Sequence, residues 1–269
     1  MRNILVHVHE DDGQEARLAA ALDLVRTFDG HLICVQVTPY YYYVASDPFG
    51  GYYALPELIE AETKREEEDR GRIEARLHGE NISWDWIRYD GDASRCLVSA
   101  ARLVDLIVLS QAVRPPAAQE PIPAVADVAI HARTPVLAVP RNTKGMNATG
   151  TAAVAWNGSL EASHALRFAL PMLRRAAAVH IITVVEEGAG FPPTSACSYL
   201  SRYGINAELH EIHREERSVP DALLAGVSSV DADYLVMGAY GHTRLREFLL
   251  GGVTRSLIGG SPVPLLLAH

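Results

Sequence analysis

Short apolar runs alternate with amphipathic stretches along the whole chain. Residues 3–9, 31–37, 82–89, 105–110 and 135–139 are runs of strand length, and 152–156, 179–185, 206–213, 233–237 and 263–268 repeat the pattern. Runs this short and rich in Val, Ile and Leu suit parallel strands covered on both faces. Between them, residues 13–29 put Leu18, Ala21, Leu22, Val25 and Phe28 on one face at helical spacing. Further helices are predicted over 56–79, 93–103 and 123–132, then over 160–175, 193–203, 219–230 and 251–258. The helix over 56–79 has only Leu58, Ile59, Ile73 and Leu77 as a thin apolar face, and its charged run Lys64–Arg70 reads as a solvated surface.

The pattern is an internal repeat. Ile4–His9 matches Ala152–Asn157, and His31-Leu-Ile-Cys-Val matches His180-Ile-Ile-Thr-Val, at an offset of about 148 residues. Asp105–Ser110 matches Asp233–Gly238, and Thr134-Pro-Val matches Ser261-Pro-Val, at an offset of about 128. The first half therefore carries roughly 20 extra residues between Thr38 and Gly79, including Tyr40–Tyr43 and Tyr52-Tyr53. Strands alternating with helices imply parallel sheets with helices on both faces. The expected fold is α/β: two tandem five-stranded parallel-sheet domains, residues 1–140 and 151–269, Rossmann-like in winding. Residues 140–150 are polar and glycine-bearing, as domain joints tend to be.

Composition narrows the function classes. Hydrophobic residues make up 48% of the 269, enough for packed cores. A net charge of −9 argues against a nucleic-acid surface, which needs a basic stripe. Cys34, Cys96 and Cys197 are odd in number and widely spaced, giving neither a disulfide framework nor a zinc pattern. The N-terminal MRNILVHVHEDD lacks the apolar core of a signal peptide, and no run reaches the ~20 apolar residues of a membrane helix. A cytoplasmic location with no membrane partner is the expectation.

The chemistry concentrates in Gly238–Ser256, GAYGHTRLREFLLGGVTRS. It follows the strand ending in Met237 and leads into a helix. Glycine lets backbone N–H groups approach an anion without a Cβ in the way, and a helix start favours phosphate. His242, Arg244, Arg246 and Arg255 add positive charge. Gly238, Gly241 and Gly251, with Val253 and Thr254 after them, are spaced Gly-x2-Gly-x9-Gly. This stretch resembles the nucleotide loop of the universal stress protein family, and the resemblance extends over both halves. It implies that family's fold, in its tandem form, and an adenine nucleotide such as ATP, ADP or AMP, with or without Mg, bound in the C-terminal half. The implied contacts are Asn157, Val184, Val185, Met237, Gly238, Gly241, His242, Arg244, Gly251, Gly252, Val253 and Thr254. Two positions depart from the family pattern. Gly252 stands where a hydroxyl residue is usual, and Asn157 stands where nucleotide-binding relatives place Asp. Members pair through their last strands, so residues 135–139 and 263–268 are expected side by side, as an intramolecular pseudo-dimer; a homodimer of the whole chain stays open.

The halves are unequal. The first half's loop runs Ser110-Gln-Ala-Val-Arg-Pro-Pro and on through Pro121 and Pro123, with no glycine. Proline removes the N–H donors a phosphate needs, so half one reads as a non-binding copy. His7, His9, Asp11 and Asp12 are a candidate metal cluster by residue type. His210 and His213 face opposite sides of a strand and are not expected to act together. The tyrosine-rich insert is a candidate lid or partner surface. No nucleophile elbow, P-loop or dinucleotide fingerprint is present, and no general base stands beside the loop except His242. The expected role is regulatory, with at most weak ATPase activity. The alternative is a non-nucleotide interaction or small-ligand module in which both pockets are degenerate. Asn157-Gly158-Ser159 also has a plain reading as a turn into a helix.

Overall fold

A computed structural model describes residues 1–39, 44–46, 52–111, 125–185, 191–239 and 252–269. In the N-terminal half the strands are β1 (Asn3–Val8), β2 (His31–Thr38), a short antiparallel hairpin of β3 (Val44–Ser46) and β4 (Tyr52–Ala54), β5 (Ser83–Asp90), β6 (Leu106–Ser110) and β7 (Val136–Val139). The helices are α1 (Gln14–Phe28), α2 (Pro56–His78), α3 (Ala93–Ala100) and α4 (Val125–His131). The C-terminal half supplies β8 (Thr151–Ala155), β9 (Ala178–Val184), β10 (Ala207–Ile212), β11 (Tyr234–Gly238) and β12 (Leu265–Ala268). Its helices are α5 (Leu160–Leu173), α6 (Pro193–Ser201), α7 (Val219–Ser229) and α8 (Gly252–Gly260).

The two five-stranded sheets join into one, in the order β10-β9-β8-β11-β12-β7-β6-β1-β2-β5. Pairing is parallel within each half and antiparallel at the seam, where Leu265, Leu266 and Leu267 lie opposite Ala138, Leu137 and Val136. The last strands thus lie side by side as expected. All six seam residues are completely buried. Burying a Leu or Val contributes roughly 1.5–3 kcal/mol over leaving it exposed, so the seam couples the halves strongly. One apolar core lies on the α1 and α5 face, another on the face of α3, α4, α7 and α8, and each runs through both halves.

The repeat also extends to a polar device. Asp105, just before β6, accepts hydrogen bonds from the backbone N–H groups of Arg2 and Asn3. Asp233, just before β11, accepts one from Thr151 N–H at 2.7 Å. Each carboxylate satisfies backbone donors at the start of its half's first strand.

Helix α2 corrects the sequence reading. Glu66 and Asp69, inside the run expected to be solvated, are buried, whereas Leu58 is half exposed. The reason is geometry: positions 66, 69, 73 and 77 share one helix face, and that face lies toward the strand ends of half one. Glu66 receives the Thr38 hydroxyl at 2.7 Å, and Asp69 receives Gln14 Nε2 at 2.7 Å. The run 40–43 lies outside the described residues.

Candidate functional site

In each half the strand order reverses beside the first strand: between β8 and β11 in one, between β1 and β6 in the other. Ligands of open α/β sheets bind outside the carboxyl ends of the strands at such a reversal. The two crevices are built differently.

In the C-terminal half, β8 runs into Trp156 and then the turn Asn157-Gly158-Ser159. Asn157 is exposed, and its Oδ1 accepts from Ser159 N–H at 3.1 Å. Ser159 caps α5 by accepting from Ala162 N–H at 3.1 Å, a cap worth about 1 kcal/mol. The turn therefore uses one of the two polar atoms of Asn157. Gly238 closes β11 against this helix start. A Cβ there would overlap the backbone nitrogen of Ala162 and the carbonyl carbon of Glu161. Only glycine lets the strand end and the first turn of α5 approach this closely. Met237 is buried beneath. Val184 ends β9, and the 41% exposed Val185 follows it. The N–H of Val185 already donates to Ile212 O at 2.9 Å, so any contact to an adenine falls to its other atoms. Gly252 opens α8 with no atom of the described residues within 4 Å of where its Cβ would stand, Val253 is half-buried, and Thr254 is buried. Asn157, Val184, Val185, Met237 and Gly238 thus belong to one edge of the sheet. Gly241, His242, Arg244 and Gly251 lie outside the described residues.

The crevice between β1 and β6 is filled from within. Arg17, on the first turn of α1, is 1% exposed. Its Nε donates to His7 O at 2.6 Å, and Nη2 donates to His9 O at 3.0 Å. Nη1 donates to the Asp11 carboxylate at 3.1 Å and to Ser110 Oγ. One guanidinium thus binds the ends of β1 and β6 together. Burial lowers the proton affinity of this group and Asp11 raises it again; an arginine stays charged under such opposing effects. The geometry also settles the candidate metal cluster of half one. Asp11 serves Arg17, Asp12 is exposed and pairs with Arg141 at 3.4 Å, and the His7 and His9 rings stack at 5.9 Å. Burial, then the Arg17 charge, holds the His7 imidazole well below its ordinary range. These four residues form no chelating set.

Beside Arg17, α2 covers the ends of β1 and β2. Between Val8, His9, Gln36, Glu62, Glu66 and Asp69 only a cavity of ≈ 10 Å³ remains, about the room of one water. Burial pushes the Glu66 carboxyl up despite the Thr38 hydroxyl and Arg88 beside it. Sequence reasoning missed Arg17 and the buried acids. A signal existed for both. Arg17 is spaced with Ala21 and Leu24 on α1, and Glu66 and Asp69 with Ile73 and Leu77 on α2.

A doubly wound α/β sheet made of two repeats, each with a strand-end crevice at its reversal, defines a tandem Rossmann-like α/β fold. The Universal stress protein family profile matches residues 1–140 and 150–269. The chain belongs to the universal stress protein family. A universal stress protein of Mycobacterium tuberculosis (strain ATCC 25618 / H37Rv) is 33% identical over 82 residues, which is 30% of this chain and 28% of that protein. The match therefore spans under a third of the curated relative's length. The crystal structure of a universal stress protein from Archaeoglobus fulgidus DSM 4304 aligns at a TM-score of 0.75 and 19% identity, over 99% of this chain and 97% of that one. A functionally unknown protein from Pseudomonas aeruginosa PAO1 aligns at 0.62 and 16% identity, over 99% and 92%. At these identities the structures speak for the shared fold.

Proposed function

We propose that the C-terminal half binds an adenine nucleotide in the crevice between β8 and β11 and that the protein acts as a regulatory stress-response binder rather than a strong catalyst. The observation that carries this reading is Gly238. It seats the end of β11 directly on the first turn of α5, at the sheet reversal where such folds take ligands. The Gly-x2-Gly-x9-Gly loop begins at that residue, and α8 begins with Gly252, which adds no side chain where phosphates would approach.

In this reading residues 1–140 are the non-binding copy, since Arg17 and α2 occupy the equivalent space. The two halves act as an intramolecular pseudo-dimer through β7 and β12, and the working location is the cytoplasm. Among the described residues no helix is long and apolar enough to cross a membrane. The test is direct: denature the purified protein, chromatograph the supernatant for adenine nucleotide, and titrate the emptied protein with ATP. One equivalent per chain is expected. Two equal sites would remove the asymmetry, and no binding would remove the nucleotide.

A second reading has its own observation. The Val185 N–H and the Asn157 Oδ1 are both engaged within the protein. A module that binds another small ligand or a protein partner is what remains if ATP, ADP and AMP all fail to bind.

A further inference from the structure

β10 is an edge strand with β9 as its neighbour. In their parallel register His180 lies opposite Glu208, and Ile182 lies opposite His210. Alternation puts Glu208 and His210 on the same face of β10. This is the face on which Ile182 and Ile212 meet Gly226 of α7. His180 Nδ1 is 2.9 Å from His210 Nε2. Glu208 reaches both rings, with Oε2 3.7 Å from His180 Nδ1 and Oε1 3.9 Å from His210 Nε2. The rings are partly buried, and the carboxylate is exposed.

We propose that His180, Glu208 and His210 form a three-ligand site for a borderline divalent metal ion, with Zn²⁺ the best match. Zn²⁺ bonds of about 2.0–2.2 Å to imidazole nitrogen and carboxylate oxygen require ligand atoms about 3.3 Å apart in a tetrahedron. The two ring nitrogens stand 2.9 Å apart, the two Glu208 oxygens stand 3.7 Å from one and 3.9 Å from the other, and one ligand atom from each residue lies within 4.8 Å of the other two. Two imidazoles and one carboxylate suit Zn²⁺, Cu²⁺ or Ni²⁺. Ca²⁺ and Mg²⁺ call for oxygen ligands throughout. Without metal, one of the two facing nitrogens donates its hydrogen to the other. With metal, the donating ring switches tautomer, so that His180 Nε2 and His210 Nδ1 carry the hydrogens and both facing lone pairs meet the ion. The fourth corner is left to water.

The other half supplies an internal control. At the matching edge, His31 lies opposite Ser83, and Ile33 lies opposite Asp85. His31 Nδ1 contacts Ser83 Oγ at 2.7 Å, and Nε2 contacts Asp85 Oδ2 at 3.0 Å. A single imidazole with both nitrogens engaged offers no chelating pair. The same strand positions therefore hold a hydrogen-bonded histidine in one half and a chelating triad in the other.

The experiment is a Zn²⁺ titration of the full-length chain in competition with a chromophoric chelator. It is paired with Co²⁺ loading, read by visible absorption. Wild type is expected to take one tight equivalent and to give the intense bands of four-coordinate Co²⁺. His180→Asn and His210→Asn are each expected to weaken binding at least tenfold, with His31→Asn and His213→Asn unchanged. Glu208→Gln, at an exposed position, gives an intermediate loss and covers the case in which a histidine variant fails to fold. Far-ultraviolet circular dichroism checks folding throughout. Absence of a tight equivalent in wild type overturns the proposal. So does binding that persists in the His180→Asn/His210→Asn double variant, which would point to the cysteines.

Discussion

The crevice between β1 and β6 contains Arg17, Asp11 and Ser110. At the matching positions the crevice between β8 and β11 has Ala165, Ser159 and Gly238. In half one three side chains of the protein supply the cation, the carboxylate and the hydroxyl that hold the strand ends together. At those positions half two has neither the cation nor the carboxylate, and strand and helix meet through Gly238 instead. Gly13 completes the exchange. A Cβ there would overlap Ser110 Oγ, so half one places its glycine on the helix side and its serine on the strand side. Half two reverses this, with Glu161 on the helix and Gly238 on the strand. A duplicated fold can thus keep its packing while its two copies join strand end to helix with different residues.

The largest expected effect comes from removing the internal cation. Arg17→Met leaves Asp11 buried without its partner and strips hydrogen bonds from His7 O and His9 O. Breaking a buried ion pair from one side costs about 3–5 kcal/mol. Urea denaturation should show this loss as a lower midpoint. A loss under about 1 kcal/mol would mean that Arg17 does not hold half one together.

Gly238→Ala is next. The new methyl meets backbone atoms of α5, which cannot rotate away, and overpacking of this kind costs about 1–3 kcal/mol. Thermal melting should show the loss, with ATP affinity falling alongside. An unchanged melting temperature would show that strand and helix separate easily.

The Gly13 and Ser110 exchange makes a double-mutant cycle. Gly13→Ala alone should destabilise, because its methyl meets Ser110 Oγ and lies 2.9 Å from Ser110 Cβ. Its backbone φ of −100° suits alanine, so the cost is contact rather than conformation. Ser110→Gly should relieve it, giving a favourable coupling of about 0.5–3 kcal/mol. Additive effects would break the proposed compensation.

Glu66→Gln tests the acidic lining found in half one. Because burial raises this carboxyl in the folded state, folding favours the protonated form. Its contribution is full below the unfolded carboxylate range and is lost as pH rises through the folded value. Glutamine stays neutral throughout. Melting temperatures from pH 4 to 8 should therefore fall less with rising pH in the variant than in wild type. Parallel curves would show that Glu66 is solvated in both states.

Strands and helices were legible because their burial has a period that the sequence displays, and residues 13–29 carried it plainly. The seam was legible because both halves end in an apolar strand. Glu66 and Asp69 were misread because charge was taken as exposure, and Arg17 was passed over; each shares a helix face with buried apolar residues and has a partner far along the chain, Thr38, Gln14 and Ser110 respectively. His180 and His210 were missed for a related reason. Pairing between β9 and β10 sets them together, and strand register does not show in either strand alone. The loop after β11 was legible only as glycine spacing, which fixes where backbone donors can stand and not which ligand they meet.

The smallest expected effect sharpens the comparison at the other end of the half-two crevice. Gly252 opens α8, and a Cβ there would meet no atom of the described residues within 4 Å. Its φ is outside the left-handed range, so serine adds no backbone strain. Stability should change by only a few tenths of a kcal/mol, as for other exchanges of Gly and Ser near a helix start. The hydroxyl could donate to a β- or γ-phosphate oxygen, a hydrogen bond to a charged group worth about 1.5–3 kcal/mol at best and less when exposed. AMP ends before that oxygen. Gly252→Ser should therefore tighten ATP more than AMP, read by titrating both proteins with both ligands at fixed magnesium. Equal gains would place the serine's effect on the helix alone. A gain confined to ATP would put the phosphate chain at the start of α8.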